Sequence, residues 1–130
     1  MTHHVLIADD EDTLREALVT LLQDEGYAVQ EAADGSQALD ALRASPDPLV
    51  VFLDYMMPRI NGGQVLEAVA RDPALAGRHA IIFSTANGRA LPMPVVKLLS
   101  DLSASVVPNP FEVDALLDAV ADACRRLRSA

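Results

Sequence analysis

The sequence contains a single cysteine, Cys124, among 130 residues. One thiol cannot form an internal disulfide, which suits a reducing compartment, and we expect a cytoplasmic location. No stretch near the N-terminus has the charged, apolar and small-residue layout of a signal peptide. No apolar run approaches the ~20 residues of a membrane span, so we expect no membrane insertion.

Basic residues are also scarce. Lysine and arginine number 10 against 19 aspartates and glutamates, and the net charge is -9. Because direct nucleic-acid binding and polybasic membrane attachment both need clustered positive charge, neither is expected. The chain has no internal repeat and no linker, and its 51% hydrophobic content excludes a disordered chain. We therefore expect one domain spanning residues 1–130 and no output domain.

Short apolar runs alternate with segments of helical periodicity along the whole chain. The predicted strands cover residues 5–8, 27–32, 49–53, 80–83 and 105–107, and the predicted helices cover residues 14–25, 36–44, 64–71, 94–102 and 111–128. Thr13 and Glu16 have the spacing of a capping box, and Asp34-Gly35 is typical of a turn. Five strands and five helices in strict alternation predict an α/β domain with a parallel sheet covered on both faces.

Polar side chains follow three of the predicted strands. Asp9 and Asp10 follow the first strand, Asp54 follows the continuously apolar third strand, and Thr85 follows the fourth. The carboxyl ends of parallel strands share one edge, where ligands bind in open α/β sheets. Carboxylates that lie so close together raise one another's pKa or require a cation. An all-oxygen site with retained water suits Mg²⁺. The pattern predicts a magnesium site with Asp54 as a reactive group.

These residues lie in motifs that resemble the receiver domains of two-component response regulators, a CheY-like family, over essentially the whole chain. The resemblance implies a doubly wound, flavodoxin-like (βα)5 fold with strand order 2-1-3-4-5. The matching segments are Leu6-Ile7-Ala8-Asp9-Asp10, Leu53-Asp54-Tyr55-Met56-Met57-Pro58 with Asn61-Gly62, Ser84-Thr85-Ala86 and Asn109-Pro110-Phe111.

By resemblance, Asp54 accepts a phosphoryl group from a sensor histidine kinase or a phosphotransfer protein in a Mg²⁺-dependent reaction. Asp10, Asp54 and the backbone carbonyl of Met56 would hold the Mg²⁺, and Asp9 would act through water. Thr85 would donate its hydroxyl to a phosphoryl oxygen. The domain would not be an enzyme in its own right, although it would assist its own phosphorylation and dephosphorylation.

The resemblance also implies an output surface made by the fourth and fifth predicted helices and the last strand. Phosphorylation would shift this surface, and a downstream effector protein would bind it. The same resemblance allows a cis Asn109-Pro110 peptide bond.

Three positions depart from the family pattern. Asn109 stands where the family usually has lysine, so a neutral hydrogen bond replaces a charged one. Val106 stands where an aromatic residue usually changes rotamer on activation. Gly88, Pro92 and Pro94 make the loop after Thr85 longer, or the next helix shorter, than usual. Lys97 is a poor substitute for the missing lysine, because it lies within the predicted fourth helix.

These departures leave alternatives open. The main one is a degenerate receiver that binds partners without being phosphorylated. An aspartate-nucleophile phosphatase would need an acid two residues after Asp54, where this chain has Met56. A flavodoxin-like cofactor binder would need a first loop that cradles phosphate, whereas residues 9–12 are all acidic and would repel it. A nucleotide-binding P-loop is excluded, because its G-x-x-x-x-G-K-[ST] pattern is absent.

Overall fold

The structure is a computed structural model that describes residues 3–86 and 90–129. Strands and helices alternate along the described chain, except that two helices follow one another between the third and fourth strands. The strands are β1 (His4–Ala8), β2 (Ala28–Ala32), β3 (Leu49–Asp54), β4 (Ala80–Ala86) and β5 (Ser105–Asn109). The helices are α1 (Asp12–Asp24), α2 (Gly35–Ala44), α3 (Gly62–Arg71), α4 (Pro73–Ala76), α5 (Met93–Asp101) and α6 (Val113–Ser129).

All the strands join one parallel sheet in the order β2-β1-β3-β4-β5. This arrangement confirms the doubly wound α/β fold and the strand order expected from the family. Strand β3 lies at the centre and is buried at every position, as its continuous apolar run predicts. Strand β2 lies at an edge and is partly exposed, and the mixed polar and apolar composition of residues 27–32 suits an edge strand.

The core has two layers, one on each face of the sheet. Alternate residues of β3 enter different layers: Val51 and Leu53 pack with α2, α3 and α5, whereas Val50 and Phe52 pack with α1 and α6. On the second face the ring of Phe52 meets that of Phe111 edge-on, with 5.8 Å between ring centres. Helices on both faces bury the central strands and leave the sheet's edges and ends for polar chemistry.

The prediction of five helices was wrong, because a one-turn helix, α4, follows α3. The predicted helix over residues 64–71 ends before Asp72-Pro73, a pair that is typical of a helix end. Instead, the Asp72 side chain accepts a hydrogen bond from the Ala74 amide at 2.9 Å, and Pro73 occupies the first helical position. Both residue types are favoured at a helix start, so the same pair that ends α3 begins α4.

The start of α1 also differs from the prediction. Thr13 does not cap it: the helix begins at Asp12, and the preceding Glu11 makes no side-chain capping bond. The reason lies in the loop before the helix, where the Asp9 carboxylate accepts the Glu11 amide at 2.9 Å. The loop before α1 is thus fixed by Asp9, the residue after β1, rather than by a capping box at Thr13 and Glu16.

Asp34 and Gly35 start a helix rather than form a free turn. The Asp34 carboxylate accepts the Gln37 amide at 2.8 Å and caps α2, which begins at Gly35. A Cβ at Gly35 would lie 2.0 Å from the backbone oxygen of Ile60. Only glycine allows this helix start to press against the loop that follows β3.

The segment after β4 is described in part. Gly88 lies outside the described residues, so the predicted change in that loop stays a prediction. Helix α5 begins at Met93, one residue before the predicted Pro94. The Asn109-Pro110 peptide bond is cis, as expected from the family. Across the described ranges, no helix combines the length and the apolar character needed to cross a membrane.

Candidate functional site

Three carboxylates meet at the carboxyl end of the sheet. Strands β1 and β3 pair with Ala8 beside Leu53, so the next residues, Asp9 and Asp54, leave the sheet as neighbours. Asp10 completes the group, and one ligand oxygen from each of the three side chains lies within 4.8 Å of the others. The sequence therefore predicted correctly which acids come together, because it identified where adjacent strands end.

Asp9 is held firmly within this group. Its amide donates to the Ala32 carbonyl of β2 at 3.1 Å. Its carboxylate accepts the Glu11 amide, and its side chain is almost fully buried. Burial raises the pKa of Asp9, and the hydrogen bond from the Glu11 amide partly opposes that rise. Asp10, by contrast, lies exposed at the mouth of the site.

Asp54 is the most perturbed acid in the site. Its side chain is buried, with 9% exposure, and burial raises its pKa to about 7. The negative charges of Asp9 and Asp10 add to the rise, whereas the backbone amides of Met56 and Tyr55 oppose it. A carboxylate in this position calls for a positive charge, because ionisation is otherwise unfavourable in such surroundings.

The loop after Asp54 is fixed against both neighbouring elements. The Tyr55 amide donates to the Ser84 carbonyl of β4 at 2.9 Å, and the Gly62 amide donates to the Tyr55 carbonyl at 2.8 Å. A Cβ at Gly62 would lie 2.5 Å from the Asp54 carbonyl, so α3 approaches the end of β3 closely only because this residue is glycine. The side chain of Met56 is 55% exposed, and Met56 lies in this fixed loop.

Two hydroxyls face unusual surroundings at the end of β4. Ser84 pairs in register with Asp54, and Thr85 follows it. Both side chains are buried, and neither hydroxyl has a hydrogen-bond partner among the described residues. Buried hydroxyls normally have hydrogen-bond partners, so these two are candidates to donate a hydrogen bond to a ligand bound at this site.

Asn109 ends β5 and is half-buried. It pairs in register with Ala86, the residue after Thr85, so it leaves the sheet at the same edge as the acids. Lys97 lies on α5 with its side chain 75% exposed, and its ammonium group pairs with Asp101 at 2.9 Å. That pairing agrees with the expectation that Lys97 does not replace the family's lysine.

The donor set suits a magnesium ion. Three carboxylates within a few ångströms supply hard oxygen ligands and two to three negative charges, and the exposed Asp10 leaves room for retained water. Soft or nitrogen donors, which other metals prefer, are absent from the described cluster. Receiver domains in general bind Mg²⁺ at an acidic pocket, and the cluster of Asp9, Asp10 and Asp54 has that composition.

Sequence reasoning missed three contributors to the site. Ser84 precedes Thr85 in the segment Ser84-Thr85-Ala86, but the apolar run before them does not indicate which hydroxyl will lack a hydrogen-bond partner. The close approach at Gly62 depends on the angle of α3, which no local pattern encodes. The Arg15 guanidinium donates a hydrogen bond to the backbone carbonyl of Asp9 in the acidic loop. In the sequence, nothing except its charge marked Arg15 as part of the site.

The fold and the acidic site are those of a receiver-type signalling domain, and comparison with known proteins agrees. The family model of the response regulator receiver domain matches residues 5–121, and the chain belongs to this family. The family is one of signalling domains in two-component systems rather than of enzymes with their own substrates.

Individual relatives are consistent with this family. The chain is similar to Response regulator RR06 of Streptococcus pneumoniae, with 32% identity over 95% of this chain and 54% of that protein. It is 34% identical to Protein PilG of Pseudomonas aeruginosa over 65% of this chain and 62% of the relative. The chain spans about half the length of the first of these.

Solved structures give the same result. The crystal structure of a CheY-like receiver domain protein from Methanospirillum hungatei superposes with a TM-score of 0.85, covers 98% of both chains and is 28% identical. The Francisella response regulator 1452 receiver domain has a TM-score of 0.81 at 24% identity and supports the fold alone.

Proposed function

We propose that this domain accepts a phosphoryl group on Asp54 from a histidine kinase or a phosphotransfer protein and passes the signal to an effector protein. The observation that carries the proposal is the cluster of three carboxylates, Asp9, Asp10 and Asp54, at the carboxyl end of the sheet. Burial and the two neighbouring acids raise the pKa of Asp54 to about 7. Such a carboxylate needs a cation, and with one it is a usable nucleophile toward phosphohistidine.

The transfer needs little covalent chemistry from the protein. A carboxylate oxygen of Asp54 forms a bond to phosphorus as the bond from phosphorus to the donor's imidazole nitrogen breaks, and the electron pair returns to that nitrogen. Bound Mg²⁺ would neutralise charge on the phosphoryl oxygens. Asp10, Asp54 and the Met56 carbonyl are the proposed ligands, and Asp9 is proposed to act through water.

Two further residues are proposed to contact the phosphoryl group. The unpartnered hydroxyl of Thr85 would donate to one phosphoryl oxygen. The side-chain amide of Asn109 would donate to another, as a neutral group where the family usually has a cation. In dephosphorylation, a water oxygen attacks phosphorus and gives up a proton to solvent. The bond from phosphorus to Asp54 breaks, its electron pair returns to the carboxylate, and inorganic phosphate leaves.

The proposed output surface comprises α5, β5 and α6. Helices α5 and α6 are the fourth and fifth predicted helices, renumbered because α4 was not predicted. Large apolar side chains are exposed on or beside it: Met93 at 74%, Val96 at 42%, Val106 at 51% and Val113 at 50%. Exposed apolar side chains on elements at a sheet edge are suited to a protein partner. We propose that phosphorylation shifts this surface and that the domain acts in the cytoplasm, without contacting nucleic acid directly.

Intact-mass measurement after incubation with Mg²⁺ and an acyl phosphate tests the acceptor role. We expect one added phosphoryl group on the wild-type protein and none on Asp54→Ala or without Mg²⁺. Asp40→Ala, on the exposed face of α2, is the matched control and should be modified like the wild type. If the wild type gains no mass, the proposal is wrong and a phosphorylation-independent binding module becomes the better interpretation. If Asp54→Ala still gains mass, the proposal is wrong because another residue accepts the phosphoryl group.

A further inference from the structure

One cation lies against the acidic loop. Arg15 belongs to α1, and its side chain is only 12% exposed. Its three guanidinium nitrogens contact three different residues: Nη1 donates to the Asp9 carbonyl at 2.7 Å, Nη2 to the Asp12 carboxylate at 2.6 Å and Nε to the Glu31 carboxylate at 3.2 Å. A single side chain thus joins the end of β1, the start of α1 and the edge strand β2.

These contacts fix the acid that is buried deepest in the loop. Asp9 is held through its amide by the Ala32 carbonyl, through its carbonyl by Arg15, and through its carboxylate by the Glu11 amide. The first two partners tie it to β2, because Arg15 is itself anchored there by Glu31. The Asp9 carboxylate also offers an oxygen to the cluster with Asp10 and Asp54.

Residues 9–12 carry four successive acids, which repel one another. Without a fixed partner, that repulsion favours an open loop in which the carboxylates separate. The planar guanidinium supplies donors in a rigid fork, which fixes the direction of each contact as well as supplying charge.

We propose that Arg15 is a positioning residue for the metal site: its three contacts hold the loop so that Asp9 and Asp10 lie beside Asp54. The inference rests on the proposed function, since it concerns the same Mg²⁺ site. It goes beyond that function by assigning a role to Arg15, which is proposed to contact neither the Mg²⁺ nor the phosphoryl group.

Electrostatics alone makes the opposite prediction. A positive charge beside a cation site repels the cation, so removing a mere counter-ion would tighten Mg²⁺ binding. Removing a positioning residue weakens it, and loss of a group that orients metal ligands typically costs about 10- to 100-fold in affinity. The sign of the change therefore separates the two roles.

The experiment measures Mg²⁺ affinity by calorimetry at pH 8, together with thermal unfolding with and without Mg²⁺. We expect Arg15→Ala to weaken binding about tenfold. Arg15→Lys, which keeps the charge but loses the fork, should also weaken it. Glu31→Gln keeps the guanidinium and loosens its anchor, so it should change affinity in the same direction by a smaller factor.

Arg71→Ala is the matched control, since it removes the same charge from the exposed end of α3, where Arg71 pairs with Glu67. Its Mg²⁺ affinity should match that of the wild type. A purely structural role for Arg15 would lower unfolding temperatures equally with and without Mg²⁺, whereas positioning also reduces the increment that Mg²⁺ adds.

Several outcomes would overturn the inference. Equal or tighter Mg²⁺ binding by folded Arg15→Ala means that Arg15 is only a counter-ion, and wild-type affinity in Arg15→Lys means that the fork is unimportant. If Arg15→Ala does not fold, Arg15→Lys, which keeps the charge, decides by the same criterion. Absence of Mg²⁺ binding by the wild type overturns the proposed metal site and this inference together, whereas normal wild-type binding with insensitive variants overturns the inference alone.

Discussion

At the end of the sheet where β3 and β4 begin, His79 is buried and both of its ring nitrogens contact the backbone. Nδ1 accepts the Leu49 amide at 3.0 Å, and Nε2 lies 3.2 Å from the Leu42 carbonyl. At the end where the same strands finish, the hydroxyls of Ser84 and Thr85 are equally buried, yet within the described residues they have no partners.

The same contrast applies to charge. Near the first end, the Arg78 guanidinium donates to the carbonyls of Ser45 and Pro46 and satisfies the loop before β3. At the other end, Asp54 is buried beside two acids. An unsatisfied buried polar group costs about 1–3 kcal/mol, so the first end stabilises the fold, whereas the second keeps hydroxyls that lack a partner among the described residues. Four substitutions test this difference.

The largest expected effect is at His79. His79→Ala leaves the Leu49 amide and the Leu42 carbonyl without the imidazole, and we expect the free energy of unfolding to fall by about 3–5 kcal/mol. Urea denaturation at pH 8 measures it, with His4→Ala as the control, because the His4 side chain is 41% exposed. A loss under about 1 kcal/mol would remove the claim that this end stabilises the fold.

The pH dependence gives a second check on His79. Burial lowers its pKa from 6.5, so the unfolded chain takes up a proton at this residue before the native protein does. Wild-type stability should therefore decline as pH falls below 6.5, and this part of the decline should be missing in His79→Ala. A variant with an unchanged slope would contradict the buried, neutral imidazole.

Asp54→Asn should act in the opposite direction. Burial raises the pKa of Asp54 to about 7, so between the unfolded value near 3.8 and about 7 the native protein binds the extra proton. The stability of the wild type therefore falls as pH rises through that window and stays low above it. Without Mg²⁺, Asp54→Asn should be more stable than the wild type by up to about 4 kcal/mol at pH 8, and the gain should vanish near pH 4.

Urea denaturation across that pH range measures the gain. Asp40→Asn, on the exposed surface of α2, is the control and should show little change. Saturating Mg²⁺ should stabilise the wild type and leave Asp54→Asn nearly unaffected. If Asp54→Asn is destabilising at pH 8 without Mg²⁺, the acid end of the sheet does not carry the electrostatic cost assigned to it.

Asn109→Lys restores the charge that the family usually has at this edge. Charge-assisted hydrogen bonds contribute about 1–2 kcal/mol more than neutral ones, so the initial rate of phosphoryl incorporation should rise about tenfold. Mass spectrometry over time measures the rate. Lys97→Gln, which removes the exposed charge paired with Asp101, should leave the rate unchanged. An Asn109→Lys rate equal to that of the wild type would mean that charge at this position does not limit the transfer.

Thr85→Val should have the smallest effect on stability. It replaces a buried, unpartnered hydroxyl by a methyl group of similar size, so the free energy of unfolding without Mg²⁺ should stay equal or rise by up to about 1 kcal/mol. Thr13→Val, at an exposed position of α1, is the control. A marked loss of stability in Thr85→Val would show that the hydroxyl has a partner in the unliganded protein.

The fold and the acid cluster were predictable because both follow from where apolar runs end. Residues 49–53 are continuously apolar and Asp54 ends the run, which was enough to predict a central strand and a polar group at its carboxyl end. The edge position of β2 followed from its mixed composition in the same way.

What the sequence did not reveal depends on contacts between distant segments. The hydrogen bonds of His79 join residues 30 and 37 positions apart, and no local pattern marks a histidine that bridges two backbones. The three contacts of Arg15 depend on how α1 lies against β2. Helix α4 was missed because Asp72-Pro73 is equally typical of a helix end and of a helix start.

The most direct test of the central claim is a crystal structure of the protein with Mg²⁺ and a phosphoryl mimic. We expect the ion on the carboxylates of Asp10 and Asp54 and the Met56 carbonyl, with the Thr85 hydroxyl donating to the mimic. The hydroxyl that lacks a partner in the described protein would then have one. An ion bound elsewhere, or a Thr85 hydroxyl still without a partner beside a bound mimic, would contradict the claim that this end of the sheet is built to receive a phosphoryl group.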